Sequence, residues 1–164
     1  MLITYIQYGE VNNKIPPLHL VMLSGDWTPQ SLPLDIKKYW SAVNICVMGG
    51  ATEGAIWSIY HIWEKNLPGW VSIPYGRPLA NQRYLVLDGN MEDCPYWVIG
   101  QLAIAGDGVA IGYYGDKQLT QEKFPLHQGE KVYLTGDLGR YRPGGEIKFI
   151  GSSTSTSVRS LIKA

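Results

Sequence analysis

Two short apolar runs, one amphipathic stretch apart, constrain this chain most. Residues 18–24 (LHLVMLS) form a nearly continuous apolar run between a Pro pair and Gly25, and residues 43–48 (VNICVM) form another. Runs of this length and texture predict strands buried on both faces. Between them, Ser31 is a candidate N-cap, and Leu32, Ile36, Tyr39 and Trp40 share one helical face. Strand, helix, strand over about 30 residues is a βαβ unit, so the two strands are expected to be parallel neighbours. Ligands of open α/β sheets bind beyond the carboxyl ends of such strands. Ser24, Gly25 and Asp26 fall at the first of those ends, and residues 49–53 (GGATE) at the second.

After Trp57 the texture changes to short β-like runs separated by Gly, Pro, Asn and Asp: residues 56–63, 83–88, 100–105, 109–113, 132–138 and 146–150. These predict an antiparallel sheet or distorted barrel. One helix is expected over residues 117–124, with Thr120 and Glu122 facing solvent. Pro143, Gly144 and Gly145 fit a hairpin turn. Residues 1–9 suit either a strand or a helix end, and the Ser/Thr-rich residues 152–164 are expected to fray.

Fourteen basic residues balance fourteen acidic ones, which argues against broad attraction to nucleic acid or an anionic membrane. Neither a signal peptide nor a run of ~20 apolar residues is evident, so the cytoplasm is the expected location. The two cysteines have no metal-ligand spacing. Cys46 reads as a buried thiol, and Cys94, before a proline in a turn-like stretch, as an exposed one.

Three clusters bear on chemistry. The order Gly49, Gly50, Ala51, Thr52, Glu53 suits a loop that lets a polyanion approach the main chain, then offers a hydroxyl and a metal-seeking carboxylate. An ordinary Gly-rich turn with Thr52 as a helix cap explains the same spacing, and no Lys-Ser/Thr ending makes it a Walker loop. Residues 135–137 (TGD) place an aspartate, Asp137, just after a strand, where it suits two ribose hydroxyls or an Asx-type turn. Met22, Met48, Ile56 and Trp57, with Ser24, fit plain core packing, or a small apolar cavity with one hydroxyl.

Taken together these stretches resemble the adenylation domains of nonribosomal peptide synthetases, in the adenylate-forming superfamily. GGATEGAIW (residues 49–57) is similar to the family's nucleotide loop, and IPYGRPLANQRYLVLD (73–88) to the crossing into its barrel. GQLAIAGDGVAIGYYGD (100–116) is similar to its glycine-rich signature, and VYLTGDLGRYRPGGEIKFIG (132–151) to its ribose-binding strand and hairpin. GGATE with SGDW (24–27) looks most like cysteine-activating domains.

The resemblance implies an α/β fold: a parallel βαβ unit ending a larger α/β subdomain (residues 1–63), then an antiparallel distorted β-barrel subdomain (64–151), then a tail (152–164) without the lid domain. It implies ATP and Mg2+ as cofactors, with Thr52 on the phosphates and Glu53 on the metal. Gly25 and residues 49–51 would shape the nucleotide floor, and Asp137 would hold the ribose. Met22, Ser24, Met48, Ile56 and Trp57 fall on amino-acid-pocket positions, in a set associated with cysteine. The implied acceptor is the phosphopantetheine thiol of a carrier protein, and the implied partners are that carrier and the remainder of a synthetase.

The chain also departs from the family. The upstream phosphate-binding loop with its lysine, the pocket aspartate, and the arginine, hinge aspartate and lid lysine expected after Gly151 are absent from the sequence. Gly49 and Phe149 each replace a common aromatic of the family. Losing one preorganised charge costs ~2.7–4 kcal/mol of barrier, so the isolated chain is expected to be inactive. A non-catalytic docking remnant and an acyl-CoA or aryl-acid ligase are the competing readings.

Overall fold

Leu20–Leu23 (β1) and Asn44–Gly49 (β2) lie side by side and parallel, Leu20 opposite Asn44 and Leu23 opposite Val47. The computed structural model of the chain describes residues 17–25, 27–68, 70 and 72–152. Residues 1–9, Asp26 and all of the tail except Ser152 therefore lie outside the described residues.

The helix between these strands, Ser31–Tyr39 (α1), buries Pro33 and packs Ile36, with Trp40 just beyond it, against Val21, Val43 and Ile45. Two expectations for it fail. Ser31 is its first residue and not its cap, because Gln30 precedes it in helical conformation; the Gln30 carboxamide instead bonds the backbone of Leu67 and Trp70. Tyr39 is exposed, because the helix stops there and the chain turns Trp40 under the sheet through Trp40 N–H to Ile36 O and Val43 N–H to Trp40 O.

Only one face of β1 is buried. Val21 packs on α1, while Leu20 and Met22 are 51% and 45% exposed, since no described element covers that face. Ile59–Trp63 (β3) pairs antiparallel with β2, and Arg77–Pro78 (β4) with β3, completing a four-stranded sheet.

The second sheet is antiparallel and curled, half of a barrel. Gln82–Leu87 (β5), Gly100–Gly106 (β6), Glu130–Tyr141 (β8) and Leu126–His127 (β7) follow in that spatial order, and Ile147–Ser152 (β9) pairs with β8. The hairpin at Pro143–Gly145 joins Tyr141 to its partner Ile147. Residues 109–113 are not a strand. Val109, Ala110 and Tyr113 pack on the core while Ile111 is exposed, and Val109 N–H bonds Gly106 O and Ala110 N–H bonds Glu53 O, which leaves no ladder. Lys117–Lys123 (α2) is capped by Asp116, whose carboxylate accepts from Leu119 N–H. Glu122 is exposed as expected. Thr120 instead turns inward and accepts Tyr113 N–H at 2.9 Å.

One apolar cluster unites the two sheets: Ile59 of β3 packs with Tyr84, Val86, Leu102, Ile104 and Ile147. Among the described residues no helix is long and apolar enough to cross a membrane. Cys46 is buried as expected, and so is Cys94, contrary to its turn-like surroundings, because Cys94 N–H bonds Val86 O and folds the thiol inward. Burial pushes both thiols above their ordinary values. Neither cysteine is therefore expected to react with a water-soluble disulfide reagent in the native chain, and both are expected to react in denaturant.

Candidate functional site

The loop after β2 opens a cleft of about 590 Å³ between the two sheets. Its shape begins with glycine. Gly50 has φ 150°, and a Cβ there would stand 2.4 Å from Ile56 O. Gly49 is pressed on the Tyr75 ring, where a Cβ would approach within 2.7 Å. Thr52–Gly54 then form a single 3-10 turn rather than a capped α-helix; the residue before it, Ala51, makes no side-chain capping bond, its carbonyl accepting Gly54 N–H instead, and Thr52 is exposed.

Nearly all the residues singled out in the sequence meet here. Gly49, Gly50, Ala51 and Thr52 line one wall, and Ser24 and Gly25 enter from the end of β1. Met48, Ile56 and Trp57 line another part, and Asp137 faces them from β8. Trp57 Nε1–H donates to Ser24 Oγ at 3.1 Å, joining two residues 33 positions apart. Two residues stand outside the lining. Met22 lies on the open face of β1, and Glu53 is turned toward the second sheet.

Glu53 accepts the Tyr113 hydroxyl at 2.6 Å. Burial pushes its carboxyl up, but hydrogen bonds from Tyr113, its own amide and Tyr133 outweigh that and hold it below the ordinary range. It is therefore a fixed anion at neutral pH. Among the described residues no group of three or more His, Cys, Asp or Glu side chains gathers. An ionised carboxylate is the donor chemistry of an Mg2+ site, which is commonly held by one or two carboxylates plus substrate phosphates, although Glu53 Oε1 is taken by the Tyr113 hydroxyl and Glu53 stands outside the cleft lining.

Asp137 does not follow a strand; it sits inside β8. There Leu134 opposes Ala103 and Leu138 opposes Gln101, so residues 135–137 bulge opposite Leu102 alone. Thr135 makes the bulge by donating its hydroxyl to Leu102 O and accepting Asp137 N–H, an arrangement that replaces the Asx-type turn. Burial raises the Asp137 carboxyl to about 6.

Sequence reasoning missed part of the wall. Tyr75 and Phe149 stack at 5.0 Å and line the cleft with Trp27, Gly151 and Ser152. Tyr75 carries a weak signal, a lone aromatic between Pro74 and Gly76, but its pairing with Phe149 spans most of the second sheet.

A family model described as AMP-binding enzyme matches residues 2–114. Bacitracin synthase 1 of Bacillus licheniformis is 47% identical over 139 residues, covering 84% of this chain and 3% of that protein. Pyochelin synthetase PchF of Pseudomonas aeruginosa is 44% identical over 152 residues, covering 92% of this chain and 8% of that protein. The solved nonribosomal peptide synthetase FmoA3, in its AMPPNP-bound form, superposes with a TM-score of 0.83 at 35% identity, over 98% of this chain and 18% of that one. The chain thus spans a small part of the length of the relatives it matches. Fold, loop sequence and these likenesses agree: the chain belongs to the AMP-binding enzyme family, and it is similar to segments of nonribosomal peptide synthetases.

Proposed function

We propose that this chain supplies the nucleotide loop, the ribose contact and part of the amino-acid pocket of an adenylating ligase. The parent reaction joins an amino acid to ATP, giving aminoacyl-AMP and pyrophosphate, and passes the aminoacyl group to a carrier-protein phosphopantetheine thiol. The observation that carries the reading is convergence: residues 49–52, Asp137 and the Ser24–Trp57 pair face one cleft. Residues 1–63 are assigned to the α/β subdomain and 64–151 to the barrel-like one.

Chemistry in such a site is positioning and electrostatics, without a protein nucleophile. The substrate carboxylate oxygen attacks the α-phosphorus, and pyrophosphate leaves. Backbone of Gly49, Gly50 and Ala51 lies along the nucleotide, and Thr52 donates to a phosphate oxygen. Asp137 accepts two ribose hydroxyls. Glu53 would hold Mg2+, which when bound neutralises phosphate charge. Met48, Ile56 and Trp57 around one hydroxyl, Ser24, favour a small, weakly polar side chain, and cysteine fits. Met22, on the open face of β1, is assigned to the same pocket on the resemblance alone, since it does not line the cleft.

The test is cysteine-dependent ATP–pyrophosphate exchange by this chain alone and mixed with the upstream half of a related adenylation domain. Exchange is expected only in the mixture. Exchange with another amino acid but not cysteine would overturn the substrate assignment, and exchange with an aryl acid alone would move the protein to the aryl-acid ligases.

A further inference from the structure

The loop that carries Ile56 and Trp57 into the cleft is strained. Ala55 has φ 62° and ψ 41°, and Ile56 has φ 70°, so two consecutive residues with Cβ atoms occupy the left-handed region. Trp57 N–H reaches back only two residues, to Ala55 O at 2.8 Å, which makes Ile56 the centre of a positive-φ γ-turn. That conformation is rare for any residue and a true outlier for a β-branched one. Burial does not recover the cost, because Ile56 is 64% exposed.

Surrounding bonds impose the turn. Ile56 N–H is held by Ala51 O and Ser58 N–H by Gly49 O, both at 2.9 Å, and Trp57 O accepts from Gln82 Nε2 at 3.2 Å. Only a glycine at position 50 leaves room for the Ile56 carbonyl. What the turn achieves is an abrupt reversal that aims the Trp57 indole N–H at Ser24 Oγ. Strain that the fold over-determines, located at a ligand cleft, points to a positioning role.

We propose that the Ala55–Ile56 turn is a positioning device that fixes the Trp57–Ser24 end of the pocket and sets side-chain selectivity at the expense of stability. The proposal rests on the adenylation reading. Ala55 is exposed and does not line the cleft, so Ala55→Gly relaxes the turn without removing a pocket atom. Ala55→Asn keeps a Cβ on a residue that tolerates positive φ.

The experiment labels the full chain with 5-fluorotryptophan, assigns the Trp57 19F resonance through Trp57→Phe, and records melting curves alongside. In Ala55→Gly the melting temperature is expected to hold or rise while the Trp57 line broadens. In the exchange mixture, discrimination between cysteine and serine is expected to fall about tenfold. Ala55→Asn is expected to restore both the line and the selectivity. A sharp, unshifted Trp57 line in Ala55→Gly overturns the positioning role. So does a loss of selectivity that merely tracks a fall in melting temperature. A wild-type mixture that activates no amino acid overturns the adenylation reading and the pocket role with it, while the 19F line still reports on the turn by itself.

Discussion

Asp137→Ala is expected to weaken nucleotide binding by roughly two to four decades, because it removes two hydrogen bonds to a charged group worth ~1.5–3 kcal/mol each. The measurement is the affinity for a fluorescent ATP analogue in the mixture of this chain with an upstream half. The pH profile separates a ribose contact from a structural role. Burial holds the Asp137 carboxyl at about 6, against an ordinary 3.8. Only the ionised form accepts both hydroxyls, so affinity is expected to rise through pH 6 and to fall about tenfold per unit below it. Asp137→Asn is expected to bind weakly and without that pH dependence. Fold stability runs the other way. A carboxyl raised above its unfolded value favours the native state when protonated, and this contribution is lost as pH climbs from about 4 to about 6. Ligand-free Asp137→Asn is therefore expected to melt higher than wild type at pH 7. A variant that binds poorly and also melts lower would mean that Asp137 holds the bulge rather than the ribose.

Much of this site was legible because its parts are local. The β1–α1–β2 unit follows from apolar runs and one amphipathic stretch, and residues 49–53 and 135–137 were readable as short motifs. What stayed hidden was decided by distant hydrogen bonds. Residues 109–113 look like a strand, yet their backbone is claimed by Gly106 and by the distant Glu53. Asp137 reads as a loop residue after a strand because Gly136 precedes it, but Thr135 absorbs the irregularity as a bulge and β8 continues to Tyr141. The turn at Ala55 and Ile56 was unreadable for the plainest reason: neither residue prefers positive φ, so only the bonds of Ala51, Gly49 and Gln82 to their neighbours put them there. Glu53 was expected in the cleft with Thr52, and Tyr113 draws it to the side. The open face of β1 had no sequence signature, since Leu20 and Met22 are as apolar as Val21.

Ile59→Ala is expected to cost about 2–5 kcal/mol, the range for deleting a fully buried aliphatic side chain where the site cannot collapse. Ile59 is 0% exposed. Collapse is hindered on two sides, because β3 is hydrogen-bonded to both neighbours, Ile59 pairing with Gly49 and with Pro78. At roughly 2–4 °C per kcal/mol for a chain of this size, the melting temperature should fall by about 5–20 °C. Ile59→Val, one methylene smaller, should cost only about 0.5–1.5 kcal/mol. The position also tests how the cleft is built. Ile59 belongs to the first sheet yet sits in the cluster of the second, next to Ser58, whose hydroxyl bonds the buried Tyr84 hydroxyl at 2.9 Å. The sheets should therefore melt in one transition, shifted as a whole by Ile59→Ala. Two transitions, with only one of them displaced, would show that the sheets fold separately. The walls carrying Gly49–Thr52 and Asp137 would then be held together by something other than this core. With a single transition, Ile59→Ala should also weaken nucleotide binding, although Ile59 lines no part of the cleft.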